Sequence, residues 1–232
     1  MPDKNFIFAN IVSTPTAISW SQTYNAGKLF SVLSLSKNGE EEIEELNVLG
    51  KDALEILEKE FFSLEEKSLA SIKEVTLKAS ENLPQENISF LVAAFSEDIL
   101  YLVIIGAGKV DIKRDVSIGT LLESKLENKE NIKFASGFIK DKDTVILQTK
   151  QFSEAINSST LAGSLESEPN EIVESLAPII HEKEDGGAAA VIIRYKSVKE
   201  EEGEEIIKEY EPEEKREFLE KKSEEIKEEE FE

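Results

Sequence analysis

The residues of this chain that could carry chemistry are mainly carboxylates, because cysteine is absent and histidine occurs once, at His181. Without cysteine there is no thiol nucleophile, no zinc–thiolate site and no disulfide. One histidine excludes a pair of imidazole metal ligands. Its place after an apolar helical pattern favours an interaction with the helix dipole over the role of a catalytic base. A Ser–His–Asp arrangement through His181 stays open as an alternative.

Aspartates are the side chains best suited to hold a hard divalent cation, which prefers anionic oxygen ligands. Those nearest to predicted turns and strand ends are Asp111, Asp115, Asp141, Asp143 and Asp185. The chain holds 49 acidic residues, so a few of them are expected near any point by chance. Their spacing alone therefore does not define a metal site.

Other chemical motifs are missing from the sequence. Gly106-Ala107-Gly108 lacks the third glycine and the following helix of a dinucleotide-binding fingerprint, so it is interpreted as a turn. There is no phosphate-cradling P-loop. No basic patch with interleaved aromatic residues is present, and the formal net charge of −22 repels phosphate backbones, so we expect no nucleic-acid partner.

The chain also lacks signals for a membrane. No apolar run reaches the roughly 18 residues of a spanning helix. The N-terminal sequence MPDKNFIFANIV has neither a basic start nor a long apolar core, so it does not resemble a signal peptide. The absence of cysteine fits a reducing compartment. We therefore expect no membrane insertion within this chain and a cytoplasmic location.

The hydrophobic pattern predicts a core of strands at residues 88–113. Ile88–Phe95 and Leu100–Ile105 are near-continuous apolar runs, as in strands that are covered on both faces. Gly106-Ala107-Gly108 then reverses the chain. In the strand that follows, Val110 and Ile112 alternate with Asp111 and Lys113, which predicts one face in water.

Helices are predicted in groups rather than between every pair of strands. Leu54, Leu57 and Phe61 share one helix face, and Ser63-Leu64-Glu65-Glu66 matches a capping box that would start the next helix. A late helix is predicted at Glu171–Ile180, with Pro169 in its first turn. Trp20 is interpreted as a core anchor. Asn25-Ala26-Gly27 and Asp115–Gly119 are predicted to be a turn and a loop. The other predicted strands are Phe6–Val12, Ala17–Ser21, Lys28–Ser36, Ile132–Ile139, Thr144–Thr149 and Ala188–Tyr195.

This order of elements predicts an α+β domain of two packed, mainly antiparallel sheets flanked by helices, within residues 1–197. From residue 198 onward the composition changes. Glu200–Glu232 holds 17 Glu against six Lys or Arg. We interpret residues 198–232 as a charged, partly helical tail or linker.

Four segments of the chain resemble the PPM-type (type 2C-like) metal-dependent protein phosphatases. LFSVLSLS (29–36) is similar to the first "DGMGG" strand of that family, and LYLVIIGAGKVDI (100–112) to its strand, glycine–aspartate turn and next strand. GFIKDKDTVILQTKQFSEAI (137–156) is similar to the segment that holds "SDGL". EIVESLAPII (171–180) with GGAAAVIIRY (186–195) resembles the helix and "DN" strand that end the family domain.

The resemblance implies a hydrolase in which aspartates hold two Mn²⁺ or Mg²⁺ ions around an attacking water, but the carboxylates are missing. The first aspartate falls near Ser34 or Leu35, and the aspartate of the glycine–aspartate turn on Ala107. "SDG" falls on Thr149-Lys150-Gln151, which places Lys150 at the aspartate, and "DN" falls on Gly186-Gly187. An ammonium ~4 Å from a dication is repelled by roughly 8 kcal/mol at an effective dielectric near 20.

These departures predict an inactive member of the family, a pseudophosphatase that serves as a binding or structural module. We assign no catalytic, cofactor-binding or metal-ligating residue and no cofactor, and we expect a protein partner. Two alternatives stay open. One is an active serine/threonine phosphatase that holds Mn²⁺ or Mg²⁺ through substituted ligands, such as Asp185 after a one-residue shift. The other is a scaffold that binds nothing in the cleft.

Overall fold

A computed structural model of the chain describes residues 6–37 and 43–197, without the side chains of residues 43 and 44. The predicted tail, residues 198–232, lies outside the described residues. The described strands are β1 Phe6–Val12, β2 Ser19–Ala26, β3 Leu29–Ser36, β4 Ile88–Ser96, β5 Ile99–Gly106, β6 Gly108–Arg114, β7 Ser117–Ser124, β8 Ile132–Phe138, β9 Thr144–Gln148 and β10 Ala189–Tyr195. The described helices are α1 Ile43–Phe62, α2 Leu69–Ala79, α3 Lys150–Ala155, α4 Ser158–Ser164 and α5 Pro169–Lys183.

The strands within 6–37 and 43–197 form two antiparallel sheets. Sheet A has the order β1-β10-β9-β6-β7, and sheet B has the order β2-β3-β4-β5-β8. Hairpins join β2 to β3, β4 to β5 and β6 to β7. The β5–β6 reversal at Gly106 and Gly108 carries the chain from sheet B to sheet A. The predicted fold class, two mainly antiparallel sheets with helices outside, is confirmed.

Three apolar layers hold the elements together. Phe30, Val32, Leu91, Leu147 and Val191 belong to the layer between the two sheets. A second layer packs α1 and α2 on sheet B, and a third packs α3, α4 and α5 on sheet A. Each sheet is therefore apolar on both faces, as the unbroken runs of β4 and β5 predicted.

Trp20 lies in the layer between sheet B and the helices, which confirms its interpretation as a core anchor. Its ring lies directly against Gly50 of α1, where a Cβ would overlap the indole carbons. A glycine within a helix costs about 1 kcal/mol relative to alanine. Here it allows the tryptophan ring to approach the helix backbone.

Three local predictions were wrong. The capping box is Ser68 with Ser71, while the Ser63 hydroxyl donates to the carbonyl of Lys59 at the end of α1. Strand β2 continues through Ala26, because its residues pair in register with β3 and the chain reverses at Gly27. The predicted loop at Asp115–Gly119 is mostly strand β7, since the left-handed Asp115 completes a tight hairpin.

The prediction of a wet face on β6 was also wrong at Asp111, which is 2% exposed. Asp111 pairs with Ile146, whose side chain packs against the helices that cover sheet A. Its carboxylate accepts hydrogen bonds from Thr120 (2.8 Å) and Gln148 (2.9 Å) and pairs with the Lys109 ammonium at 2.8 Å. A buried charge needs such partners. The alternation of apolar and polar residues therefore identified the two faces of β6. The face that was predicted to lie in water is covered by protein.

Among the described residues, no helix is long and apolar enough to cross a membrane.

Candidate functional site

Four residues from separate parts of the chain meet where strands β3 and β9 end. Ser34 lies near the end of β3, Ser19 begins β2, Gln151 lies in the first turn of α3, and Gly187 precedes β10. A Cβ added to Gly187 would lie 3.0 Å from both the Ser19 and Ser34 hydroxyl oxygens and 3.1 Å from Cδ of Gln151. We call these four residues the neutral cleft, because none of their side chains carries a charge.

The sequence predicted two of these positions. Ser34, near which the resemblance placed the first metal-binding aspartate, lies beside Gly187, the second residue of the "DN" pair. Gly186, at the aspartate of that pair, faces the backbone of Ser19 and Thr16 instead, since an added Cβ would lie 2.7 Å from the Ser19 carbonyl oxygen and 2.9 Å from the Thr16 nitrogen. The side chain of Ser34 is buried at 1% exposed. Ser19 was missed, because it reaches the site only through its pairing with Ser36 across β2 and β3, where the two hydroxyls are 2.9 Å apart.

The ammonium of Lys150, which the resemblance placed at an aspartate, is bound by a carboxylate. Its ammonium donates to Glu127 at 3.0 Å, in a hollow that Gly108 and Glu123 also line. The hydrogen bond with Glu127 raises the pKa of Lys150, and the nearby Glu127 and Glu154 charges act in the same direction while burial opposes them. The side chain at the cleft is the next one, Gln151.

The segment before β10 is fixed to its neighbours by hydroxyl groups. The Ser21 hydroxyl donates to the carbonyl of Gly186 at 3.0 Å, and the Thr149 hydroxyl donates to the carbonyl of Gly187 at 3.0 Å. Thr149 also caps α3 by accepting from the backbone N–H of Phe152 at 3.3 Å. These bonds hold Gly187 against the side chains that fill the space beside it.

Two polar groups in the neutral cleft have no partner within the part of the chain that the structure describes. The Ser34 hydroxyl and the Gln151 carbonyl oxygen are buried without a hydrogen bond among the described residues. Buried polar atoms that lack a protein partner commonly bind an ordered water. Both atoms lie beside the missing side chain of Gly187. The neutral cleft is thus closely packed, and its two unpartnered polar atoms are neutral.

The aspartates that the sequence offered as substitutes are engaged elsewhere. Asp185 accepts hydrogen bonds from the backbone N–H groups of Gly187 (2.8 Å) and Ala188 (3.0 Å), which closes the turn before β10. Asp143 binds Arg114 through both carboxylate oxygens. Asp141 accepts from the N–H of Ser197 at 2.9 Å. Each carboxylate therefore has a local structural role.

The residues present at the cleft do not fit a pair of divalent cations. Mn²⁺ and Mg²⁺ are held by anionic oxygens, whereas two hydroxyls, one amide and one glycine converge here. Within residues 6–37 and 43–197, no cluster of three or more His, Asp or Glu residues could hold a metal. The position of the turn aspartate, Ala107, is fully buried, and its N–H donates to the carbonyl of Ile88 at 2.9 Å.

His181 forms no catalytic relay with the described residues. It lies in the last turn of α5, as its predicted interaction with the helix dipole requires. Its Nδ1 is 3.4 Å from the Thr14 hydroxyl. No described hydrogen bond joins it to a carboxylate or a serine, so a Ser–His–Asp arrangement is not formed among the described residues.

No protein-family model matches the chain, and no curated protein matches it by sequence. Solved structures do match its fold. The PPM Ser-Thr phosphatase MsPP from Mycobacterium smegmatis, solved with cacodylate, is 14% identical with a TM-score of 0.62, over 85% of this chain and 100% of that chain. The catalytic domain of the serine/threonine phosphatase PstP, solved with two manganese ions, is 12% identical with a TM-score of 0.64, over 82% and 96%.

A third structure of the same fold is PppA, a regulatory component of the T6SS in Pseudomonas aeruginosa, which is 10% identical with a TM-score of 0.65, over 83% of this chain and 98% of that chain. Together with the strand order and the helix layers, these matches show that the chain has the PPM phosphatase fold. The resemblance stated from the sequence is confirmed as a likeness of fold.

Proposed function

We propose that this domain is a PPM-fold pseudophosphatase, a binding module that does not hydrolyse phosphate esters with metals. The observation that carries the proposal is the convergence of Ser19, Ser34 and Gln151 on the missing side chain of Gly187. Metal-dependent hydrolysis needs a bound ion, because the ion lowers the pKa of its bound water. Mn²⁺ and Mg²⁺ are held mainly by anionic oxygens, and the side chains at this point are neutral.

The packing at Gly187 supports the same proposal. A side chain there would meet the Ser19 and Ser34 oxygens at 3.0 Å, closer than van der Waals contact. The space of a side chain at the second residue of the "DN" pair is thus already occupied by the other cleft residues. A rearranged site would need an aspartate to enter, and Asp185 already closes the neighbouring turn.

Hydrolysis of p-nitrophenyl phosphate in Mn²⁺ or Mg²⁺ tests the proposal. We expect no turnover above the blank and no change on adding a chelator, whereas a metal-loaded phosphatase of the same fold, assayed in parallel, should turn over and lose its activity with the chelator. Chelator-sensitive turnover by this chain would establish the alternative, an active phosphatase with substituted Mn²⁺ or Mg²⁺ ligands.

As a module without hydrolysis, the domain would act through a partner. We propose a protein partner in a cytoplasmic setting, because the net charge of −22 disfavours polyanions and anionic membranes and the chain lacks cysteine. Co-purification from cell extract with and without residues 198–232 would show whether the charged segment takes part in binding.

A further inference from the structure

A second hollow lies along the described edge strands, away from the neutral cleft. Strands β7 and β8 are the last strands of sheets A and B on the same side of the sandwich. A groove of about 380 Å³ opens between them, and its floor consists of Leu100, Leu102 and Ile139. Small-molecule sites typically measure roughly 300–1,000 Å³ and are mostly apolar. The groove is thus large enough for one small ligand.

Two glycines keep this groove open. Gly119 in β7 and Gly137 in β8 both line it, and a Cβ on either would meet no atom within 4 Å. Neither glycine has a positive φ, so the backbone conformation does not require glycine at either position. Glycine within a strand is destabilising by roughly 0.5–1 kcal/mol. Packing within the described chain therefore gives no reason for these glycines, whereas an occupant of the groove would.

One end of the groove is polar. Arg114 is the charged residue among those lining it, and Ser117, which pairs with Arg114 across β6 and β7, lines it too. The Nε of Arg114 donates to Asp143 Oδ1 at 2.9 Å, and its Nη2 donates to Asp143 Oδ2 and to the carbonyl of Phe138. Asp143 is 1% exposed, so these bonds fix the guanidinium plane. Nη1 has no acceptor among the described residues.

We propose that this groove binds an apolar molecule that ends in a carboxylate. The apolar part would cover Leu100, Leu102 and Ile139, and the carboxylate would accept hydrogen bonds from Nη1 of Arg114 and the Ser117 hydroxyl. Asp143 already balances the positive charge of Arg114. The carboxylate of the ligand therefore adds selectivity, while burial of its apolar part supplies most of the affinity. The site is independent of whether the neutral cleft hydrolyses phosphate esters.

Isothermal titration calorimetry of the full chain with octanoate tests the proposal. We expect saturable binding with one ligand per chain and a preference over 1-octanol of about tenfold, or about 1.4 kcal/mol. Gly137→Leu places a side chain into the groove and should weaken octanoate binding at least about tenfold. Its thermal midpoint should match or exceed that of the parent, because the new Cβ enters open space.

Gly163→Leu is the matched control, since Gly163 of α4 also has open space around a Cβ but does not line the groove. It should bind octanoate like the parent chain. If Gly137→Leu fails to fold, Gly119→Leu blocks the same groove from the opposite strand. The proposal is overturned if octanoate does not bind, if the folded groove variant binds it unchanged, or if 1-octanol binds as tightly.

Discussion

Ser34→Asp is expected to lower the free energy of unfolding by about 3–5 kcal/mol at pH 7, the usual effect of an uncompensated buried charge. Ser34 is buried, and the cleft around it offers hydroxyl and amide groups but no cation. Burial raises the pKa of the introduced carboxyl above its value in the unfolded chain. The loss is therefore small below roughly pH 4, the unfolded value, and grows as the pH rises through the folded pKa.

Urea unfolding at pH 4 to 8 measures this effect, and Ser34→Asn provides the neutral control of the same size. We expect Ser34→Asn to lose less stability than Ser34→Asp at pH 7, with little change across the pH range. Ser34→Ala removes an unpartnered hydroxyl and should be nearly neutral. If Mn²⁺ restores Ser34→Asp to the stability of the parent, the cleft accepts a metal, and the conclusion that its residues do not fit a divalent cation is wrong.

Gly106→Ala should lower the free energy of unfolding by more than about 3 kcal/mol, as measured by chemical denaturation. Gly106 has φ +79°, in the left-handed region, and a Cβ there would overlap the carbonyl oxygen of Ile88 and lie 2.7 Å from its Cγ2. That carbonyl accepts the N–H of Ala107, which closes the reversal from sheet B to sheet A. The substitution thus separates β4 from the turn.

Gly119→Ala is the control for this prediction, because its Cβ has no neighbour within 4 Å and its φ is not positive. We expect a gain of about 0.5–1 kcal/mol from the reduced entropy of the unfolded chain. Equal stability of the two variants would show that the β5–β6 reversal does not require glycine.

Most of the fold could be predicted from the sequence, because its strands coincide with apolar runs that are bounded by turn residues. Ile88–Ser96 and Ala189–Tyr195 agree with their predicted ranges within one residue. The burial of side chains was harder to predict from the sequence than the secondary structure. Asp111 was assigned to solvent because alternation cannot show whether helices cover the second face of a sheet.

The candidate site was predicted in part, and the role of Gln151 was missed for a geometric reason. Thr149 follows the last residue of β9 and caps α3, so side chains change from alternating sides to a turn of about 100° per residue. Matching "SDG" by letters placed Lys150 at the aspartate, whereas the side chain that lies beside Gly187 is that of the next residue, Gln151. Ser19 could not be found from local spacing, because only the β2–β3 register brings it to Ser34.

Diffraction from crystals soaked in Mn²⁺, collected where manganese scatters anomalously, tests the central claim most directly. The neutral cleft should show no anomalous peak near Ser34 and Gln151, even when weak surface sites on this acidic chain are occupied. Two adjacent manganese peaks between the sheets, held by side-chain oxygens, would contradict the account.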